Sequence, residues 1–406
     1  MRQLKQFLKY YMYTMFMLMG MTSCHWFEEE EKTLYDRTVL VYMAADNSLS
    51  QTDSNTPKSF LEQDISEMIL AAEDIPSNCR LILYVDDYDL PRILTIEQQK
   101  GRRPVCTTLH QYKEEHNSGD TETLRLAMEW MMENSPSESY GLVLWSHGNA
   151  WIPAKAPAQR TVCQDYQSRS WMEIPEIAET LSSFPRLEFI LFDACFMQSI
   201  EVAYELRHTT RHIIASPAEI PAPGAPYNRI VSAMFAYNTY VERIAEEYYL
   251  EYLEGNIPIP GKGSLTYGVC LSVIDCNELE YLATVTKHMI TKYASSQSNI
   301  DLTGVQRYFM RNIPTCPAYY DINGYMQRLI TDPEDYAQWY DILNRAVIYK
   351  RATEHWFSDS TGEEDIDADI YSGVSCYVPK TQYTDLNRKF RSTSWYVAAG
   401  WQQIGW

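Results

Sequence analysis

Two short stretches carry residues that could do chemistry together. "LFDACFMQSI", residues 191–200, sets Cys195 between an apolar run and a helix-like pattern, and "LVLWSHGNAW", residues 142–151, sets His147 directly after another apolar run. A cysteine and a histidine within reach of one another can carry out acyl transfer. The thiolate attacks a carbonyl, and the imidazolium hands a proton to the leaving group. A thiol of ordinary pKa, about 8.5, is only slightly ionised at neutral pH, and a helix N-terminus or a nearby imidazolium lowers that value. "FMQSIEVAYEL", residues 196–206, reads as a helix beginning just behind Cys195, which would aim unpaired N–H groups at the sulfur. Gly148 has no side chain to cover its N–H, so that donor and the N–H of Cys195 are candidates for an oxyanion hole, each donor worth about 2.7–4 kcal/mol. A packed, inert cysteine is the competing reading, because free cysteine is among the residues most often buried. The residues alone leave both open.

The elements that must position this pair are legible as a rhythm. Residues 38–46, 80–87, 140–146, 186–193 and 212–216 are near-continuous apolar runs, the pattern of parallel strands covered on both faces. Between them, residues 59–73, 121–134 and 172–183 repeat apolar side chains at helical spacing, the second with Asp120 placed as its N-cap. Strand, helix, strand order gives an α/β sandwich with right-handed crossovers and a mainly parallel sheet. Ligands of such sheets bind beyond the carboxyl ends of the strands, where both His147 and Cys195 fall. Residues 92–98 break the rhythm and suit an edge hairpin. From about residue 236 the pattern changes to an acidic, tyrosine-rich helix, the strand-like runs "GSLTYGVCLSVID" and "SGVSCYVPK", and tyrosine-rich loops. The expected organisation is residues 37–235 as the catalytic domain and 236–406 as a mixed α/β extension packed on it, with room for further strands on the same sheet.

Charge and cysteines narrow the function classes. The 406-residue chain has a formal net charge of -20 and a pI near 4.8, which argues against partners with a polyanionic surface such as nucleic acid. The N-terminus carries Arg2, Lys5 and Lys9 ahead of "YMYTMFMLMGM", an apolar stretch shorter than the roughly 20 residues of a bilayer-spanning helix, and so reads as an export signal over residues 1–23. It ends in "MTSC", which resembles the lipobox of bacterial lipoproteins and makes Cys24 the expected lipid anchor. Residues 24–36, with "EEEEK", form a charged tether, and an acidic run at that place is similar to a signal for display on the outer membrane or cell surface. Eight cysteines follow Cys24 with no C-x-x-C pair, and no H-E-x-x-H occurs, so neither a zinc site nor a metallohydrolase is indicated.

The stretches "VLVYMAADNSL", "LVLWSHGNAW", "VCQDYQSRSWMEIPEIAETL" and "LFDACFMQSIEVAYEL", in this order and spacing, resemble the clostripain family of cysteine peptidases, relatives of caspases, legumain and the gingipains. The likeness is fullest over residues 38 to about 230. It implies a caspase-like sandwich, a catalytic dyad of His147 and Cys195, no required cofactor, and a protein or peptide substrate. A monomeric, lipid-anchored endopeptidase of the cell envelope is the leading expectation, and a catalytically silent surface lipoprotein that binds protein through the same fold is the alternative.

Residues of the family's substrate pocket carry over unevenly. Asp193 matches an aspartate two residues before the nucleophile that contributes to the pocket for a basic side chain. The loop often written "SQETEPGxGxPY" is "SPAEIPAPGAPY" here, residues 216–227, with Ser216 retained, Glu219 as its one carboxylate, and Ala218 and Ile220 at the usual acidic positions. A buried cation without paired carboxylates is costly, which points away from basic specificity and towards an apolar or small residue before the cut. Relatives are nicked by their own activity in the loop of residues 152–170, where Lys155 and Arg160 are the matching cleavage candidates, although an uncut loop is favoured by Pro157 and the altered pocket. Calcium dependence occurs in part of the family, and an acidic cluster such as 360–370 could bind the ion, but it lacks an EF-hand pattern and such clusters are more often solvated loops.

Overall fold

Uninterrupted apolar runs become inner strands because a strand covered on both faces has no polar side to present. The computed structural model describes residues 33–52, 57–97, 103–152, 161–294, 300–308, 319–358, 362–367 and 370–406. In chain order the elements are β1 (Tyr35–Ala44), α1 (Phe60–Leu70), β2 (Cys79–Asp86), β3 (Arg92–Glu97), β4 (Val105–Gln111), α2 (Thr121–Asn134), β5 (Ser137–Trp145), β6 (Val162–Asp165), β7 (Ser170–Met172), α3 (Ile174–Leu181), β8 (Leu187–Asp193), α4 (Ile200–Leu206) and β9 (Thr210–Ala215). Then come α5 (Tyr227–Met234), α6 (Tyr240–Glu254), β10 (Cys270–Asp275), α7 (Leu279–Tyr293), β11 (Arg307–Tyr308), β12 (Tyr319–Asp321), α8 (Ile322–Leu329), α9 (Pro333–Ala346), β13 (Val347–Ala352), β14 (His355–Ser358), β15 (Gly362–Asp365), β16 (Ser375–Tyr377), α10 (Thr384–Phe390) and α11 (Ser394–Ala398).

Local signals set several of these boundaries. Ser59 and Glu62 form a reciprocal capping box at the start of α1, Asp120 accepts from the Glu122 N–H to cap α2, and α3 opens on a proline in its first turn, where a missing N–H costs nothing.

The main sheet runs β13-β10-β9-β8-β5-β1-β2-β3-β4. Its centre, from β9 to β2, is parallel. The β3–β4 hairpin extends one side antiparallel, and β10 with β13 extends the other, so strands from the last third of the chain complete the same sheet. Alternate residues face opposite ways. Leu40, Tyr42, Ile82, Leu142, Leu144, Ile190 and Phe192 pack under α2, α3, α4 and α7. Val39, Val41, Leu81, Leu83, Val143, Phe189 and Leu191 pack under α1, α5 and α6. Each such side chain, fully buried, contributes about 1.5–3 kcal/mol, and the result is an α/β/α sandwich with a mainly parallel sheet. Leu34–Trp406 forms one compact unit. Beside the main sheet, β16 of the "SGVSCYVPK" run joins β12 and β11 in a small separate sheet.

Candidate active site

The parallel register of β5 and β8 fixes the site. Trp145 pairs with Asp193, and the Ser146 N–H reaches the Asp193 carbonyl at 3.4 Å. Two residues further on, His147 and Cys195 leave the carboxyl ends of these neighbouring strands and line one cavity of about 200 Å³ together with Leu49, Asp193, Glu219, Ile220 and Tyr267. The structure therefore brings into one cleft two side chains that lie far apart in sequence.

Cys195 is half-buried and is not in a disulfide. Its sulfur accepts the Ile220 N–H at 3.3 Å and lies 3.7 Å from the Ile220 carbonyl oxygen. The other described cysteines are placed differently. Burial pushes the thiol of Cys270 up to about 12 and those of Cys163, Cys276 and Cys376 well up, while burial also raises Cys79 and Cys106. Such thiols pack as small apolar groups and stay protonated.

The expected helix start behind the sulfur is corrected. Ser199 is the N-cap of α4, its hydroxyl accepting from the Val202 N–H, and the helix begins only at Ile200. Phe196 takes a left-handed backbone, φ 64°, and the intervening N–H groups go elsewhere: Phe196 donates to the Ala218 carbonyl at 2.8 Å and Gln198 to the Ser216 carbonyl at 2.9 Å. The Phe196 and Gln198 N–H groups are thus satisfied by the loop after β9 and need no helical partners, so four residues separate Cys195 from the first residue of α4.

On the other side of the cleft, the His147 Nε2 lies 2.8 Å from the Ser48 hydroxyl. Ser48 opens a short 3-10 turn, Ser48–Ser50, whose N-cap is the fully buried Asn47. The Asn47 side-chain amide donates to the Ala44 carbonyl at 2.7 Å, the Gln164 carbonyl at 3.0 Å and the Ser146 hydroxyl at 3.3 Å, tying the ends of β1, β5 and β6 together. Gly148 follows His147 and packs directly on the Ala194–Cys195 segment. A Cβ placed there would stand 2.9 Å from both the Ala194 Cβ and the Cys195 carbonyl oxygen.

Asp193 lines the cavity yet is almost wholly committed to the fold. Both oxygens lie 3.1 Å from the Ala225 N–H, and the Tyr227 and Tyr248 hydroxyls donate to it at 3.1 Å each. Burial raises its carboxyl to about 6, with those donors pulling the other way. Glu219 lines the same cavity. Ser216 does not, which corrects its place among the pocket residues. It is fully buried, and its hydroxyl is turned back onto Ala218, accepting from the N–H at 3.0 Å and donating to the carbonyl at 3.1 Å.

Cys24, Lys155, Arg160 and Cys316 lie outside the described residues. Among the described residues no group of three or more His, Cys, Asp or Glu side chains is arranged to hold a metal ion. Sequence reading missed Ser48, Leu49, Tyr267 and the two tyrosines that donate to Asp193. Tyr248 carried a usable signal: with Tyr252 it forms an i, i+4 pair on an otherwise acidic helix, and a buried tyrosine needs an acceptor for its hydroxyl.

Comparison with known proteins agrees with this geometry. The sequence pattern of the clostripain family matches residues 41–406. Clostripain of Hathewaya histolytica is 27% identical over 226 residues, which is 48% of this chain and 41% of that protein, so the chain spans about two fifths of the length of this curated relative. Among solved structures, a secreted C11 cysteine protease from Bacteroides thetaiotaomicron, in complex with an irreversible peptide inhibitor, is 33% identical with a TM-score of 0.79, covering 91% of this chain and 99% of that one. An inactive zymogen C11 protease from Parabacteroides distasonis is 30% identical with a TM-score of 0.75, covering 90% and 99%. With the whole sheet, the shared cleft and the family pattern in agreement, the chain belongs to the clostripain family of cysteine peptidases.

Proposed function

We propose that the chain is an endopeptidase in which Cys195 is the nucleophile and His147 the proton carrier. The observation that carries this reading is the β5–β8 register, which delivers both side chains to one cavity. The Cys195 sulfur attacks the scissile carbonyl carbon, the C–N bond breaks as His147 protonates the leaving amine, and the acyl–sulfur bond is then hydrolysed by a water that gives its proton to His147. The N–H groups of Gly148 and Cys195 steady the developing oxyanion. No cofactor enters these steps, and addition of a chelator to the assay reads any calcium requirement.

The side chain preceding the cut enters the cavity beside Asp193 and Glu219. Asp193 already accepts from three protein donors, and Ile220, Pro221 and Ala222 give the lining an apolar part, which supports an apolar or small residue at that position. A peptide-library profile is expected to show such residues cleaved at least as well as Arg or Lys, and cleavage confined to Arg and Lys would overturn the pocket reading. Hydrolysis and labelling by a thiol-directed peptide probe are expected to fall about a thousandfold or more in Cys195→Ala. Labelling spread evenly over the cysteines would support the protein-binding alternative.

The B. thetaiotaomicron relative is a secreted protease, and among the described residues no helix is long and apolar enough to cross a membrane. The secretion of that relative and the lipobox-like "MTSC" of this chain support export, with anchoring at the outer membrane or cell surface through a lipid on Cys24. Palmitate labelling lost in Cys24→Ala tests the anchor.

A further inference from the structure

The Ser48 hydroxyl stands against the His147 ring nitrogen Nε2 at 2.8 Å, and the turn that bears it is fixed from behind by buried groups. Asn47, buried without exposure, accepts the Leu49 N–H at 3.0 Å through its side-chain oxygen while its amide holds the ends of three strands. One residue earlier, the Asp46 carbonyl accepts the Tyr166 N–H at 2.7 Å and its carboxylate accepts the Gln167 N–H at 3.0 Å. The turn bearing Ser48 is therefore pinned at both its capping residue and the residue before it. A rotatable hydroxyl with two lone pairs, held in one place beside an imidazole nitrogen, can accept an N–H in both the neutral and the charged ring.

We infer that Ser48 is a positioning residue for His147, accepting a hydrogen bond from Nε2–H so that Nδ1 is the nitrogen that exchanges protons with Cys195 and with the leaving amine. The inference rests on the peptidase reading given above. It assigns the tautomer, which determines which ring edge must face the sulfur. It also assigns Ser48 a share in stabilising the imidazolium that accompanies the thiolate, because both ring nitrogens are donors in that state and Nε2–H needs an acceptor when substrate covers the cleft. Asn47 contributes by holding the turn and touches neither reacting group.

The test compares wild type, Ser48→Ala, Ser48→Thr and Cys195→Ala for peptide hydrolysis and for the rate of alkylation by iodoacetamide, each over pH 5 to 10 (roughly the range in which thiol and imidazole titrate). Ser48→Ala is expected to lower kcat about tenfold with KM little changed, to move the alkaline limb of the hydrolysis profile to lower pH, and to move the onset of alkylation to higher pH, since the imidazolium that accompanies the thiolate has lost an acceptor. Ser48→Thr, which restores the hydroxyl, is expected to recover most of the rate and the original limb. Ser48→Ala with wild-type kcat and an unmoved limb would overturn the positioning role while leaving the peptidase reading intact. A loss of rate in both Ser48 variants with the limbs unmoved would also overturn it, because that is the signature of a disturbed loop. Full activity in Cys195→Ala would instead remove the peptidase reading on which the role depends.

Discussion

Glu201 lies in the first turn of α4, behind the Cys195 segment, and is 1% exposed. One of its oxygens accepts the Tyr377 N–H of β16 at 2.9 Å, which joins the catalytic sheet's helix layer to the last part of the chain. Burial pushes its carboxyl up from an ordinary 4.5 to about 7, with the Tyr377 N–H pulling it down. Between pH 4.5 and 7 the folded chain holds a proton that the unfolded chain has released, so stability falls as pH rises through that window and levels off above it. The span is 7 - 4.5 = 2.5 pH units, and at about 1.36 kcal/mol for each unit it amounts to about 3 kcal/mol. Glu201→Gln keeps an oxygen for the Tyr377 N–H and cannot titrate. Whatever constant packing cost the amide carries, the stability of the variant relative to its parent is expected to improve by about 3 kcal/mol between pH 4.5 and pH 8. Urea unfolding followed by tryptophan fluorescence, with both chains also carrying Cys195→Ala to prevent self-digestion, measures that difference. Asp86, raised by burial to about 7, and Asp193, raised to about 6, steepen the parent's own pH dependence, but they are present in both chains and cancel. Stability curves that stay parallel across the range would refute the burial argument for Glu201.

Two glycines at the cleft give further expectations. Gly148→Ala places a Cβ 2.9 Å from the Cys195 carbonyl oxygen, a backbone atom that cannot swing aside, so kcat is expected to fall about ten- to a hundredfold while a thermal melt shows the fold retained. Gly224→Ala combines a left-handed backbone, φ 65°, with a Cβ 3.0 Å from the Asp193 Oδ2, and is expected to destabilise the chain by about 1–3 kcal/mol and to raise KM more than it lowers kcat, read by urea unfolding and steady-state kinetics.

The inner strands were legible because burial on both faces leaves a long apolar run with only one interpretation, and the pairing of strand ends with His147 and Cys195 followed from that. The start of α4 was not. "FMQSIEVAYEL" has helical spacing throughout, but Phe196 and Gln198 find acceptors in the loop after β9, a contact across some twenty residues that local pattern cannot show. Ser48 escaped notice for the same reason: an exposed serine in a turn acquires its meaning only when β1 is laid beside β5. Ser216 shows the converse error, a retained residue whose hydroxyl serves the loop's own backbone and not the cavity. β13 has no clean alternation, with exposed and half-buried residues mixed, and only its pairing with β10 identifies it as a strand.

The antiparallel pairing of β10 onto β9 has a practical corollary for anyone shortening the gene. Cutting after residue 235 would strip β9 of its outer neighbour and bare the ladder groups of Ala215, Ile214, Ile213 and His212 just ahead of the loop that touches the Cys195 sulfur. A trimmed protease of that length would carry a sticky, unsatisfied border and clump with its own kind before it could digest anything.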